Sequence, residues 1–168
     1  MLTYCLQKRS LSKVDDTIPV FSLNGFKGYA RITNIYDGDT CKGVIILHGK
    51  YLKFVFRTLG YDSPELKPRL NIPHRKEHIE SAVRSREYFK KLIGFSNDTP
   101  HVIWNPFLCR TKINGFVYIE CDKNDKYGRT LVTMYKNKGD KESINQKMIN
   151  SGLVNVYDGG TKKEFNFV

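Results

Sequence analysis

The chain has 168 residues, 40% of them hydrophobic and 12% aromatic, which is enough to build a buried core and excludes wholesale disorder. No stretch approaches the roughly 20 apolar residues of a membrane-spanning helix; the longest aliphatic run is Val44-Ile45-Ile46-Leu47. Lys and Arg number 28 against 17 Asp and Glu, a net charge of +11, which points to a polyanionic partner, nucleic acid first, unless the charge serves solubility alone.

Residues 1–24 lack strong periodicity and read as an N-terminal arm or tail. Lys8, Arg9, Lys13, Asp15 and Asp16 break up any apolar leader, so an intracellular location is expected. The cysteines Cys5, Cys41, Cys109 and Cys121 form no C-x-x-C pair and have no zinc-finger spacing with histidine, which predicts free thiols. From Gly25 the pattern changes. Residues 29–36 are rich in β-formers, and Asp37-Gly38-Asp39 marks a tight turn, since Asp-Gly readily supplies positive φ. Residues 41–47 read as a strand, His48-Gly49-Lys50 as a turn and 51–59 as a second strand, with Leu52, Phe54 and Phe56 alternating with polar neighbours.

Residues 60–73 form a loop containing Pro64, Pro68 and Pro73. A helix follows over 77–93, with Ile79, Ala82, Val83, Phe89, Leu92 and Ile93 as its apolar stripe. Residues 94–115 are irregular, with a short strand at 102–104. Strands are expected at 116–121 and 129–135, around a polar turn. Ser143-Ile144-Asn145-Gln146 has the form of a capping box, so a helix starts there, and Gly152 suits its C-terminal end. The order β-β-β-α-β-β-α implies an α+β domain over 25–158, built on a small closed five-stranded barrel of the oligonucleotide-binding type, with 159–168 as a tail.

The hairpin alone brings candidate chemistry together. Reflecting Asp39 through a tip at Gly49 sets it opposite about position 59, beside Arg57 and near Asp62. At about 3.3 Å per residue Asp62 would lie about 10 Å further on, and Gly60 and Ser63-Pro64 let the chain bend and shorten this. Asp39, Asp62 and Glu65 can therefore gather at one end of the barrel. Gathered carboxylates repel unless a cation sits among them, and calcium suits flexible oxygen donors at a turn. Taken alone, the acids of the Asp-Gly turn read more simply as solvated turn residues; the composite with Arg57, Asp62 and Glu65 favours a site. Arg57 and Arg129 offer planar forks that bind phosphate, or surface ion pairs in the plainer reading. Glu65, Arg57 and Arg129 are expected at the rim of a cleft, outside the core.

These residues carry a family resemblance. Ile35-Tyr36-Asp37-Gly38-Asp39-Thr40, Phe56-Arg57-Thr58-Leu59-Gly60-Tyr61-Asp62-Ser63-Pro64-Glu65 and Asp125-Lys126-Tyr127-Gly128-Arg129, in this order and spacing, resemble the staphylococcal nuclease (thermonuclease) family. Ile144-Asn145 and Ser151-Gly152-Leu153 match its last helix and exit, and the likeness runs over about 25–157. It implies a calcium-dependent hydrolase, an endonuclease acting on DNA, RNA or both as a monomer. By the same resemblance Asp39 and Asp62 are metal carboxylates, and Ser63 ligates through its carbonyl where the family usually has Thr. Glu65 positions or activates the attacking water, Arg57 and Arg129 bind phosphate, and Lys126 and Tyr127 contact nucleotide phosphate.

Several parts depart from the family. Residues 94–115 look like an insertion, and the turn at 122–125 is short. Export by a standard signal is not expected, unlike the secreted members, and Tyr157 stands one position away from the tyrosine that stacks on the base. Residues 67–91 hold eight Lys or Arg against three Glu, suited to guiding a nucleic-acid strand or simply to a solvated helix face. Trp104 reads as a core or insertion anchor, or as a stacking platform. The histidines fall in no triad-like or zinc-like pattern. The alternative to a nuclease is a catalytically idle barrel that binds nucleic acid or a protein; the presence of all five candidate acid and arginine side chains favours the enzyme.

Overall fold

The computed structural model describes residues 2–95, 115–160 and 165. The strand expected at 102–104, Trp104 and Cys109 lie outside the described residues. Where an arm was expected, Leu2–Leu11 form helix α1. This segment has no Gly or Pro and is built largely of good helix formers, with Lys8 and Arg9 in the last turn, where they favour the helix dipole. Periodicity missed it because its apolar side chains need no common buried face: Tyr4, Leu6 and Leu11 are all exposed.

Three consecutive antiparallel strands follow: β1 (Lys27–Ile35), β2 (Thr40–Leu47) and β3 (Lys50–Thr58). His48 and Gly49 form a two-residue hairpin loop with φ of 49° and 74°. Two positive φ values suit the right-handed twist of the flanking strands. The hairpin register pairs Leu47 with Lys50 and Thr40 with Arg57. Asp39 therefore faces Thr58, whose N–H donates to the Asp39 carbonyl at 2.9 Å, one residue from the position expected.

Chain reversal through helix α2 (Arg75–Ile93) leads to β5 (Phe116–Asn124) and β6 (Thr130–Tyr135). The barrel closes in the order β1-β2-β3-β6-β5, with β6 parallel to β3 over Phe56–Thr58. Two short strands not foreseen in the sequence, β4 (Tyr61–Asp62) and β7 (Asn155–Val156), pair antiparallel beside it. They carry too few residues to show a period of two.

Ile32, Ile45, Phe56, Val117, Ile119, Val132 and Met134 fill the barrel and are almost wholly buried. Each contributes about 1.5–3 kcal/mol relative to exposure. Helix α2 buries His78, Ala82, Ser85, Phe89 and Ile93. The buried face is thus rotated from the expected stripe: His78 and Ser85 point inward while Val83 is 38% exposed. Helix α3 (Ile144–Asn150) starts at Ser143, whose Oγ accepts from Gln146 N–H at 3.0 Å. The reciprocal half of the capping box is replaced, since the Gln146 side chain donates to Asn150 at 2.8 Å. Asn145 ties α3 to the barrel: its Oδ1 accepts from Met134 N–H at 2.9 Å and its Nδ2 donates to the carbonyls of Leu59 (2.9 Å) and Val132 (3.1 Å). Among the described residues no helix is long and apolar enough to cross a membrane, and Cys5, Cys41 and Cys121 are free thiols.

Candidate functional site

The β1–β2 turn is held by its own first acid. Asp37 Oδ1 accepts from the N–H groups of Asp39 (3.2 Å) and Thr40 (2.7 Å). Gly38 is needed here for space and not for positive φ. A Cβ on it would meet Ser85 Oγ at 2.1 Å and Ser63 Cβ at 2.9 Å, so a side chain would push α2 and the 61–65 segment away from the turn. Tyr61, fully buried, donates its hydroxyl to the Gly38 carbonyl at 2.8 Å.

The bend after β3 brings Asp62 to Asp39 and Arg57, while Glu65 lines the same cleft without forming a three-acid cluster with them. Asp39 Oδ2 lies 2.9 Å from Arg57 Nη1 and accepts from Ser63 N–H at 3.0 Å. Asp62 Oδ1 accepts from Arg57 Nη2 at 2.7 Å. One guanidinium therefore forks across two carboxylates. All three side chains are at least nine-tenths buried, with exposures of 10% for Arg57, 3% for Asp39 and 6% for Asp62. Burial works against the Arg57 charge, but Asp39 and Asp62 outweigh it and hold the guanidinium above its ordinary value. The expectation that Arg57 sits at a rim is corrected: it ends β3 within the packed wall of the site. Glu65 is exposed and Arg129 half-buried, as a rim position requires.

The opposite wall is the loop before β6. Asp125 Oδ1 accepts from the N–H groups of Tyr127 and Arg129, both at 2.9 Å, and its Oδ2 takes Arg129 Nε at 2.7 Å. Burial pushes Asp125 upward, yet these bonds from Arg129 and Tyr127 hold it below the usual carboxylate value. Arg129 Nη1 reaches Thr40 Oγ1 at 3.3 Å, and Thr40 in turn donates to Asp39 Oδ1 at 2.7 Å, so both arginines connect to the same acid. The Tyr127 ring, 73% exposed, lies 5.1 Å from Lys126 Nζ and 5.5 Å from the Arg129 guanidinium carbon.

Between these walls lies an open cleft of about 910 Å³. Every residue singled out in the sequence lines it: Asp39, Arg57, Asp62, Ser63, Glu65, Lys126, Tyr127 and Arg129. Tyr36, Asp37, Lys67, Asp125 and Tyr157 join them. Tyr157 is anchored by its N–H on the Gly60 carbonyl at 3.0 Å, and its ring stands 6.0 Å from the Arg57 guanidinium carbon. The β4–β7 pairing brings it there, so the one-residue offset seen in the sequence does not remove a tyrosine from the cleft.

The donors available to a cation are oxygens: the Asp39 and Asp62 carboxylates and the Ser63 carbonyl. They suit a hard ion such as calcium in kind. Among the described residues no three His, Cys, Asp or Glu side chains are grouped to hold a metal by themselves, so water or substrate would have to complete the shell. Arg57 supplies the positive charge between the two acids.

The family model for staphylococcal nuclease homologues matches residues 106–166. That match supports membership of the staphylococcal nuclease-like family. No curated protein matches the chain. The matched stretch includes the Asp125–Arg129 wall, Asn145 and Tyr157. The acids and Arg57 precede it, and the barrel sets them opposite. Its closed mixed barrel with three helices is the α+β oligonucleotide-binding architecture expected of the family.

One functional residue escaped the sequence reading. The Glu65 backbone N–H donates to His78 Nε2 at 3.0 Å, tying the loop that carries Glu65 to α2. Burial lowers the His78 pKa, against the opposing pull of the Glu65 charge. The available signal was spacing: His78, Ala82, Ser85 and Phe89 recur on one helical face.

Proposed function

We propose that this protein is a calcium-dependent nuclease that hydrolyses phosphodiester bonds within DNA, RNA or both. The observation that carries the reading is that two acids, two arginines and an exposed glutamate, far apart in the chain, line one cleft beside three tyrosines. Asp39, Asp62 and the Ser63 carbonyl would hold the cation. A bound calcium would supply Lewis-acid charge at the phosphoryl group and would acidify water.

The chain's own groups divide the remaining work. Glu65, on the open lip, accepts a proton from the attacking water or orients it. Arg129 and Arg57 donate N–H groups to phosphoryl oxygens as these gain charge. A guanidinium has five N–H donors, so serving Asp39 and Asp62 does not exhaust Arg57. Lys126 contacts a neighbouring phosphate, while Tyr127 and Tyr157 present ring faces to the nucleotide.

The test is turnover on single-stranded DNA and RNA with calcium, with magnesium and with chelator. Calcium should support the highest turnover, because magnesium demands near-ideal octahedral geometry and gives up its waters reluctantly. Turnover in magnesium equal to that in calcium would remove the calcium assignment. Turnover undiminished by chelator would remove the metal. Strand binding without hydrolysis under any condition would return the protein to the idle-barrel reading.

A further inference from the structure

Ser63, Pro64 and Glu65 are pinned from two sides. The Ser63 N–H donates to Asp39 Oδ2 at 3.0 Å, Pro64 has no N–H, and the next amide, that of Glu65, donates to His78 Nε2 at 3.0 Å. One bond ties the segment to the β1–β2 turn and the other ties it to α2. The Glu65 side chain is left exposed on the lip of the cleft. Where that carboxylate points therefore depends on how firmly the imidazole keeps its place.

A hydrogen bond to one nitrogen does not fix a ring. The torsion that turns an imidazole is broad and has no sharp staggered wells. Nε2 also accepts only while the ring is neutral. His78 thus needs a neighbour that holds its plane and keeps water away, since removal from water disfavours the charged form. Phe165 is placed to do both. Its ring centroid lies 5.8 Å from that of His78, with the two planes at 83°. Perpendicular rings at this distance set the positive edge of one against the negative face of the other. Phe165 is half-buried and His78 is buried. Burial is what lowers the His78 pKa, and Glu65 is the charge that opposes it. Apolar cover from Phe165 acts in the same direction as burial.

Residues 159–168 read as a tail in the sequence. Yet Gly159 and Gly160 line the cleft beside Tyr157, and Phe165 rests on His78 of α2. The same stretch therefore touches both the cleft and the support of its lip.

We propose that Phe165 is a positioning residue for Glu65: its ring, packed on His78, holds the imidazole in the orientation from which Nε2 takes the Glu65 N–H. The segment after Tyr157 thereby takes part in building the lip. That Glu65 handles the attacking water rests on the nuclease reading; the hold on the lip does not.

The experiment uses the full chain in chelator, with NMR hydrogen exchange at the Glu65 amide and NMR titration of the His78 ring. In Phe165→Ala the Glu65 amide should exchange at least about fivefold faster, while amides of the barrel strands keep their wild-type rates. His78 should titrate nearer its ordinary 6.5. Phe165→Tyr, which keeps the ring, should match wild type in both. Tyr51→Ala, which removes an exposed ring elsewhere, should change neither. Phe165 stands outside the barrel, and melting of each variant verifies that it folds. Turnover on single-stranded DNA with calcium adds the functional readout. Phe165→Ala should lower kcat roughly tenfold with KM within about twofold, since misplacing a reacting group weighs on the chemical step. Adding Phe165→Ala to His78→Ala should lower kcat no further, because the first residue acts through the second. Unchanged exchange and titration in Phe165→Ala, changes of the same size in Phe165→Tyr, or full additivity with His78→Ala would overturn the proposal. Exchange and titration are read without hydrolysis, so a chain inactive on DNA would count against the nuclease reading alone.

Discussion

The backbone N–H of Glu65 donates to Nε2 of His78 across 3.0 Å, joining the lip of the cleft to the buried side of α2. The bond requires Nε2 to be an acceptor, so the imidazole must be neutral with its proton on Nδ1. Protonation would set a donor against a donor. Burial holds the folded-state pKa below the ordinary 6.5.

As pH falls below about 6.5 the unfolded chain takes up the proton first, so stability is lost on going down from there toward the lower folded value. Between pH 7.5 and pH 5 the melting temperature of wild type should therefore drop relative to that of His78→Gln, which offers a non-titrating acceptor. His78→Ala should lower both the melting temperature and the turnover. A difference between wild type and His78→Gln that stays constant with pH would dismiss the titration of the histidine.

Arg57→Ala should destabilise the fold as well as impair turnover. Removing the guanidinium leaves Asp39 and Asp62 buried without their shared counter-charge, a loss of about 3–5 kcal/mol. For a domain of this size that is roughly 10 °C in melting temperature. Millimolar calcium should restore part of the loss, because an ion bound only by the folded state stabilises it by mass action. Differential scanning calorimetry in chelator and in calcium makes the comparison; a variant melting within about 2 °C of wild type in chelator would show that the buried fork is unimportant to stability.

Asp37 should make the metal-free protein less stable as pH rises. Burial first, and then the Asp39 charge, push its pKa up from 3.8 to about 7. The folded state therefore binds the proton more readily than the unfolded chain, and this contribution fades from about pH 4 to pH 7. Asp37→Asn retains the Oδ1 acceptor for the Asp39 and Thr40 N–H groups while removing the charge. In chelator it should melt above wild type at pH 8 and level with it at pH 4. A variant less stable than wild type at pH 8 would contradict this sign.

Glu65→Gln keeps the shape of the side chain and removes its basicity, so turnover should fall roughly 10²-fold or more. Its exposed position predicts an unchanged melting temperature. Arg129→Ala should cost roughly 10²–10³ in turnover, the scale for a lost donor to developing charge. Its partly exposed pair with Asp125 contributes about 1 kcal/mol or less to stability. Steady-state kinetics beside thermal melting separates the two effects. Near wild-type turnover in Glu65→Gln would end its assignment to the water.

The hairpin, the barrel strands and the capped helix α3 were readable in the linear chain because each is written in local periodicity and turn chemistry. The two-residue tip at His48-Gly49 set Asp39 beside Thr58, within one residue of the sequence reading, so the gathering of Asp39, Arg57 and Asp62 was legible too. What the sequence did not disclose was depth and facing. Arg57 is buried because β6 runs parallel against Phe56–Thr58, a contact between segments more than 70 residues apart. His78, not Ile79, faces inward because the Gly38 turn and Ser63 pack against that side of α2. Tyr157 enters the cleft because two-residue strands pair across the chain, too short to leave a pattern. Period and turn residues are properties of neighbours in the chain; burial, counter-charge and the facing of a side chain depend on which distant surfaces close upon it.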